Sequence, residues 1–99
     1  MEIVNSNEDI NLLMKDYESK KKDYKTNPVI TKYEKSRILS ERSVQITSGS
    51  QIFIPNGERF QNAYQIACEE LRQNLIPFII KRPYGNHYEY WKVKDLNNS

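Results

Sequence analysis

The segment TKYEKSRILSERSVQITSGS, Thr31 to Ser50, constrains the fold more than any other part of the chain. Thr31 and Glu34 form the Thr-x-x-Glu pattern of a capping box, in which each side chain accepts a hydrogen bond from the other residue's main-chain N–H. Gly49 is a typical residue for ending a helix, because glycine adopts the left-handed backbone conformation at low cost. The segment therefore predicts a long helix that starts after Thr31 and runs to about Ser48.

Small hydroxyl side chains recur along one side of this predicted helix. At about 100° per residue they fall within roughly 60° of arc, at Ser36, Ser40, Ser43 and Thr47. Such a strip lets another backbone approach closely, either from this domain or from a partner, and the sequence leaves both options open. Larger apolar residues flank the strip: Tyr33, Leu39, Val44 and Ile46. Ile38 projects from the polar side, either as a scattered exposed residue or as a contact to a partner.

The remaining patterns predict a short strand, a second helix and a hairpin. QIFI, Gln51 to Ile54, is a strand candidate closed by a proline and an Asn-Gly turn. Asn62 can cap a helix over NAYQIACEELRQN, and Pro77 cannot continue it. PFIIKR and YEYWKV have strand character, and we expect them to pair through the turn between them. The sequence therefore predicts an α+β fold, a small single domain with two main helices, a short strand and a C-terminal antiparallel β-hairpin.

Residues 1–30 differ from the rest of the chain. Apolar side chains recur there at the helical spacing i, i+3, i+4 and i+7, at Ile10, Leu13, Met14 and Tyr17. This stripe is narrow and its flanks are polar, so an isolated helix here is marginal. We expect a mobile N-terminal arm over residues 1–30, which either docks on something or stays solvated, and a folded domain over residues 31–99.

Length and composition exclude several classes of protein. The 99 residues suit one small domain, and the net charge of +2 is too small to indicate nucleic-acid binding by itself. No apolar run approaches the roughly 20 residues of a membrane span, and the N-terminus lacks the pattern of a signal peptide. The single cysteine, Cys68, rules out an internal disulfide. We therefore expect an intracellular protein that makes no membrane contact.

Residues able to carry chemistry are few and scattered. His87, the only histidine, lies in a predicted turn, and Cys68 lies in the second predicted helix. One cysteine and one histidine cannot build a structural zinc site. Glu69 and Glu70 are adjacent, so a helix points them about 100° apart, which is typical of a solvated face. We therefore predict no catalytic residue, no metal site, no cofactor and no small-molecule substrate.

The predicted hairpin offers an alternative binding surface. Basic and aromatic side chains are close together in it: Lys81, Arg82, Tyr84, Tyr88, Tyr90 and Trp91. Such a surface binds single-stranded nucleic acid by base stacking and phosphate contacts. Because alternate residues of a strand point to opposite faces, a core on one face with exposed residues on the other explains the same pattern.

Three segments in this order, TKYEKSRILSERSVQI, YQIACEELRQNLIPFIIKR and YEYWKV, resemble the signature segments of the omega-type subunit of multisubunit DNA-directed RNA polymerases. This small subunit is called omega in bacteria and K in archaea, and the eukaryotic nuclear enzymes share a counterpart. The archaeal and eukaryotic branch is the more similar one. The resemblance covers Thr31 to about Leu96, and the composition, rich in Asn, Lys and Ile, also suits a viral version.

The resemblance implies a non-catalytic subunit that binds the C-terminal region of the largest polymerase subunit and promotes assembly and stability of the enzyme. The active site lies on other subunits, and DNA is contacted only through the assembled complex. The positions taken as contacts to the largest subunit are Thr31, Tyr33, Glu34, Arg37, Ser40, Arg42, Ser43, Gln45 and Arg82. Family members usually carry Ala or Gly where this chain has its strip of hydroxyl residues. We expect four other positions to form core instead: Leu71, Ile79, Ile80 and Trp91.

Partner and location follow from the same resemblance. The expected partners are the largest subunit and the rest of the core enzyme, in the nucleus or, for a viral version, in a cytoplasmic viral factory or virion. A free-standing module that binds single-stranded nucleic acid through the hairpin aromatics is the alternative from another class. A regulatory mimic that occupies the subunit's place and blocks assembly is a third interpretation, since it needs the same interface.

Overall fold

The computed structural model describes residues 2–4 and 14–97. Its helices and strands divide between two compact units, one of residues 2–4, 14–30 and 77–97 and the other of Thr31–Ile76. The predicted α+β class, with its two main helices and C-terminal hairpin, is confirmed. The short strand is present as well, but at a different place in the chain.

The first unit is built on an antiparallel sheet with the strand order β1-β2-β3. The outer strands β1 (Glu2–Val4) and β3 (His87–Lys92) both pair with the central strand β2 (Ile79–Tyr84). A short helix, α1 (Tyr17–Lys21), lies between β1 and β2 in the sequence. The turn of the predicted hairpin places Gly85 at φ 61°, a left-handed conformation that glycine adopts without a steric penalty.

The hairpin carries much of the hydrophobic core of this unit. Ile80 on β2 lies opposite Trp91 on β3, and both are buried, as is Ile79. These three positions were predicted to be core. Further buried residues come from the segments on either side of the hairpin: Tyr17, Ile30, Phe78, Val93 and Leu96.

Residues 14–30 belong to the same unit as the hairpin, in contrast to the separate arm expected from the sequence. Tyr17 is 4% exposed, and its hydroxyl accepts a hydrogen bond from Lys92 N–H at 3.2 Å. Within the expected arm, Tyr17 and Tyr24 are therefore bound to β3, whereas residues 2–4 form β1 and pair with β2. The predicted stripe residues Ile10 and Leu13 lie outside the described residues, and the mobility of the arm stays a prediction.

The second unit contains the two main helices, α2 (Lys32–Thr47) and α3 (Ala63–Arg72), which pack against each other. The predicted capping box at the start of α2 is confirmed. Thr31 Oγ1 accepts from Glu34 N–H, and Glu34 Oε1 accepts from Thr31 N–H, both at 3.0 Å. Gly49 follows the end of α2 at φ 102°, the left-handed conformation expected of it.

Helix α3 begins at its predicted cap. Asn62 Oδ1 accepts from Gln65 N–H at 2.9 Å, and Gln65 Oε1 accepts from Gln61 N–H at 2.9 Å. The helix ends before Asn74, which has φ 59°. A left-handed residue therefore ends α3 ahead of Pro77.

The segment from Gln51 to Ile54 is not a strand, so that prediction is wrong. Side chains, rather than a neighbouring strand, bond its main chain, and they come from Arg42 and Glu70. The short strand of this fold is β1, whose three residues are too few to produce a recognisable alternating pattern.

Candidate partner-binding surface

The two sides of α2 differ in exposure. Glu34, Ile38, Leu39 and Arg42 are between 0% and 5% exposed. At about 100° per residue they occupy roughly 140° of arc, which is the buried side of the helix. The expectation that Ile38 is exposed is therefore wrong, because the side that looks polar in the sequence is the side that packs.

The opposite side of α2 carries the predicted strip of small residues. We call it the exposed α2 face; it spans about 120° of arc and consists of Tyr33, Ser36, Arg37, Ser40, Ser43, Val44 and Thr47. Ser43 is half-buried and the other six are exposed. Tyr33 is 61% and Val44 64% exposed, so accessible apolar surface lies beside the hydroxyl groups.

The polar groups of this face suit burial against a partner. Ser43 Oγ donates to the Leu39 carbonyl oxygen at 2.7 Å, the bond to the preceding turn that helical serines make. A partner can therefore cover Ser43 without leaving an unsatisfied donor. Arg37 Nη1 donates to Tyr33 OH at 3.4 Å, and a guanidinium has five N–H donors, so Arg37 can also bind a carboxylate or a carbonyl of a partner.

Arg42, one of the predicted contact residues, is buried and bound within its own unit. Its Nε and Nη2 atoms donate to the two carboxylate oxygens of Glu70 at 2.5 and 3.0 Å. This is a bidentate, charge-assisted pair in the interior of the unit. The solvated position expected for Glu70 is wrong, since it is 0% exposed, whereas Glu69 is half-buried and pairs with Arg72.

The same ion pair holds the segment between the two helices. Arg42 Nη2 donates to the Gln51 carbonyl at 2.6 Å, and Phe53 N–H donates to Glu70 Oε2 at 2.9 Å. The central guanidinium carbon lies 4.7 Å from the centroid of the Phe53 ring. Sequence reasoning missed this arrangement because Arg42 and Glu70 are 28 positions apart. The available signal was that Arg42 follows Ile38 by four positions and Glu70 follows Ile66 by four, so each charged residue is next to an apolar side chain on its helix.

The remaining predicted contacts on and beside α2 fall into two groups. Thr31 and Glu34 form the capping box, and Gln45 Oε1 accepts from Arg42 Nη1 at 3.2 Å, so these side chains support α2 itself. The predicted contacts that lie on the exposed α2 face are Tyr33, Arg37, Ser40 and Ser43.

Arg82, the last predicted contact, belongs to the other unit and is 7% exposed. Its Nη1 and Nη2 atoms donate to the carbonyl oxygens of Asn27 and Val29 at 2.5 and 3.0 Å. Arg82 lies opposite Glu89 in the β2-β3 pair. Both of these buried charged side chains bind the chain segment that precedes α2.

Glu89 binds this segment through a cluster that no sequence pattern indicated. Its carboxylate, in a residue 2% exposed, accepts from Lys25 N–H at 2.7 Å, Thr26 N–H at 3.0 Å and Thr26 Oγ1 at 2.7 Å. Trp91 Nε1 donates to the same threonine oxygen at 2.9 Å. Burial alone raises the pKa of the Glu89 carboxyl, but these hydrogen bonds outweigh it and hold the pKa below its ordinary value.

The hairpin aromatics divide between core and surface. Trp91 is buried and Tyr90 half-buried, whereas Tyr84 and Tyr88 are 43% and 53% exposed. Lys81 Nζ lies 4.1 Å from the centroid of the Tyr88 ring. The accessible stacking surface is therefore smaller than the sequence suggests.

Among residues 2–4 and 14–97, no group of three or more His, Cys, Asp and Glu side chains is placed to hold a metal ion. His87 is exposed and packs edge-on against the Tyr84 ring at 5.7 Å, and Cys68 is a half-buried free thiol. No helix in the described part of the chain is long and apolar enough to cross a membrane. The exposed α2 face is thus the strongest candidate for a functional surface.

Comparison with known proteins identifies clear relatives, although no family model matches the chain. The chain is 40% identical over 79 residues to subunit RPABC2 of DNA-directed RNA polymerases I, II and III from Schizosaccharomyces pombe, covering 77% of this chain and 54% of that subunit. It is 41% identical over 75 residues to RPABC2 from Dictyostelium discoideum, covering 74% of this chain and 55% of the relative. It is 35% identical over 101 aligned positions to subunit 6B of DNA-directed RNA polymerases II and V from Arabidopsis thaliana. This alignment covers 94% of this chain and 69% of the relative.

These relatives confirm the resemblance to the omega and K branch. The chain spans about half the length of the first two relatives, so the similarity concerns part of each of them. The plant subunit is matched over most of its length and nearly all of this chain. The chain therefore belongs to the family of small subunits that the eukaryotic DNA-directed RNA polymerases share, represented by RPABC2.

Proposed function

We propose that this chain is a non-catalytic subunit of a multisubunit DNA-directed RNA polymerase and that it binds the C-terminal region of the largest subunit. The similarity to RPABC2 carries this proposal, because the relatives are named as polymerase subunits. The active site of the enzyme lies on other subunits. The contribution of this chain is binding energy, which promotes assembly and stabilises the assembled enzyme.

The exposed α2 face is the proposed contact. Its small side chains allow a partner backbone to come closer than large side chains permit, and packing distances between helices depend on the residues at the contact. Tyr33 and Val44 supply apolar area, and Arg37 supplies directed hydrogen bonds. A stable interface buries roughly 800 Å² on each partner, more than one helix face provides, so neighbouring surfaces also take part.

The remaining partners follow from this role. The subunit contacts the rest of the core enzyme, reaches DNA only through the assembled complex and needs no cofactor, membrane or small-molecule substrate. Its place of action is the nucleus or, for a virus-encoded version, the viral factory or virion.

The test is affinity purification of the tagged chain from its native host or infected cells, followed by mass spectrometry. We expect stoichiometric recovery of two large polymerase subunits, and we expect that recovery to survive nuclease treatment and a high-salt wash. A contact made through nucleic acid is lost under both treatments, because phosphate contacts weaken steeply with salt.

Other outcomes separate the alternatives. Recovery of nucleic acid without polymerase supports the free-standing module and contradicts the subunit. Recovery of the largest subunit alone, in a complex inactive in transcription, supports a mimic that blocks assembly. Recovery of an enzyme active in transcription supports a true subunit.

A further inference from the structure

Residues 17–26 run along the outer edge of β3, the side of that strand away from β2. Tyr17 OH accepts a hydrogen bond from Lys92 N–H at 3.2 Å, and Tyr24 OH accepts one from Tyr90 N–H at 3.3 Å. The two donors are two positions apart, as the outward N–H groups of an edge strand are. Tyrosine hydroxyls therefore occupy the places where carbonyl oxygens of a neighbouring strand would lie.

Side chains take this role because the main chain near Tyr17 is used elsewhere. Tyr17 starts α1, and Lys20 N–H donates to the Asp16 carbonyl at 2.9 Å, a bond within the helical turn. A helical main chain does not present the row of outward carbonyls that a β ladder needs. The Tyr17 hydroxyl reaches β3 instead, and it also donates to Asp95 Oδ2 at 2.7 Å.

The tyrosine rings cover the edge that their hydroxyls bond. The Tyr24 ring packs edge-on against Trp91 at 5.1 Å between centroids and against Tyr17 at 6.4 Å. Lys92 Nζ lies 5.0 Å from the centroid of the Tyr17 ring. The cover is therefore a packed layer of aromatic side chains.

Without this cover, the edge of β3 is able to pair with β3 of a second copy of the chain. An antiparallel pair centred on Tyr90 places the two Tyr90 residues opposite each other and Tyr88 of one copy opposite Lys92 of the other. The outward groups at Tyr90 then form a hydrogen-bonded pair, and Tyr88 and Lys92 form cation–π contacts across the strands. Open edges of this kind pair readily with other chains unless they are covered.

We propose that the Tyr17 and Tyr24 hydroxyls close the β3 edge against pairing with β3 of a second copy of this chain. The device keeps the chain monomeric while its edge strand carries three aromatic residues. This inference concerns the first unit and does not depend on the proposed polymerase role.

The test uses the full chain with Tyr17→Phe, Tyr24→Phe and both changes together. Hydrogen exchange measured by NMR reports each bond: Tyr17→Phe speeds exchange at Lys92 N–H and Tyr24→Phe at Tyr90 N–H, each roughly fivefold. Sedimentation velocity of the double variant shows a dimer that grows with concentration. Phe removes only the hydroxyls; without these bonds to β3, residues 17–26 are held there by ring packing alone, and β3 of a second copy can displace them from the edge.

Two controls make the test specific. Tyr33→Phe with Tyr64→Phe removes two exposed hydroxyls of the other unit and leaves the chain monomeric. Adding Tyr88→Lys to the double variant places like charges at the expected Tyr88–Lys92 contact and restores the monomer.

Each result decides the proposal. Unchanged exchange at Tyr90 and Lys92 in the variants overturns the hydroxyl cap, and a double variant that exchanges fast but stays monomeric overturns the self-pairing. If the double variant does not fold, the single variants decide: accelerated exchange confined to the expected amide supports the cap, and uniform acceleration across β3 contradicts it.

Discussion

Both sides of α2 carry polar and apolar side chains, but one side is buried in its unit and the other is exposed. On the buried side, the side chains of Glu34 and Arg42 make hydrogen bonds within the second unit. Ile38, midway between them in the sequence, is fully buried. On the exposed α2 face, serine and threonine hydroxyls stand beside Tyr33 and Val44. The buried side therefore stabilises the fold, whereas the exposed side stays accessible and is the contact that we propose for a partner.

This contrast separates two properties that a substitution can change. A change on the buried side lowers the free energy of unfolding and weakens assembly only as a consequence. If the proposed contact is right, we expect a change on the exposed α2 face to leave the isolated chain folded and to weaken assembly directly. The experiments below compare the two sides, beginning with the largest expected effect.

Arg42→Ala has the largest expected effect. It leaves the Glu70 carboxylate buried without its ionic partner and frees the Gln51 carbonyl, so we expect a loss of about 3 to 5 kcal/mol in the free energy of unfolding. Urea unfolding of the isolated chain measures it. The paired replacement of Arg42 and Glu70 by Met should cost less than Arg42→Ala. A loss under about 1 kcal/mol for Arg42→Ala contradicts the structural role of the pair.

Ile38→Ala and Val44→Ala compare the two sides with matched aliphatic truncations. Ile38 is 0% exposed, so its truncation leaves a cavity, and we expect a loss of about 2 to 5 kcal/mol. Val44 is 64% exposed, and we expect its truncation to change stability by at most about 0.5 kcal/mol. Thermal and urea unfolding measure both. Equal losses would mean that the sides are not distinct.

Glu89→Gln extends the comparison to a buried charge that binds main chain. An amide cannot accept from all three donors of Lys25 and Thr26 as a carboxylate does, so we expect a loss of about 1 to 3 kcal/mol at neutral pH. The lowered pKa of Glu89 stabilises the folded chain above the ordinary glutamate pKa of about 4.3, and this contribution is lost as pH falls through the folded-state pKa.

The stability difference between wild type and Glu89→Gln should therefore narrow as pH falls below about 4. Urea unfolding across that range measures the difference at each pH. A difference that stays constant down to pH values well below 4 contradicts the proposed role of the carboxylate.

Local signals explain which parts of the fold were predictable. The capping box of Thr31 and Glu34, the Asn62 cap and the Gly85 turn each depend on residues within a few positions of one another. The hairpin and both main helices follow from such signals. Ile79, Ile80 and Trp91 were expected to be core when the family resemblance was applied to the chain, and all three are buried.

The buried side of α2 was not predictable in the same way. Glu34 and Arg42 lie on the side of α2 that looks polar in the sequence, and both were predicted as contacts to the largest subunit. Only a partner far along the chain, Glu70, makes the burial of Arg42 favourable. The prediction of a strand from Gln51 to Ile54 was wrong for the same reason. The main chain of this segment bonds the buried side chains of Arg42 and Glu70 and not a neighbouring strand.

Residues 14–30 also differ from the sequence-based expectation, because their contacts are made by side chains that bind residues far along the chain. Tyr17 and Tyr24 bind N–H groups of β3, and Thr26 binds Glu89, over separations of 63 to 75 positions. The polar composition of this segment led to the prediction of an arm. No local pattern indicates that its tyrosines contact the edge of a strand. Side-chain hydroxyls that replace a β ladder leave no periodic signal in the sequence.

The most direct test of the central proposal is Ser40→Trp in the tagged chain. It overfills the middle of the exposed α2 face, and Ser50→Trp, which lies in the exposed segment after α2, is the matched control. Unfolding of the purified chains and recovery of polymerase subunits are measured side by side. We expect Ser40→Trp to fold as stably as wild type, within about 0.5 kcal/mol, and to lose the largest polymerase subunit, while Ser50→Trp retains it. Retention of the complete enzyme by Ser40→Trp, or unfolding of the isolated variant, contradicts the assignment of this face to the partner.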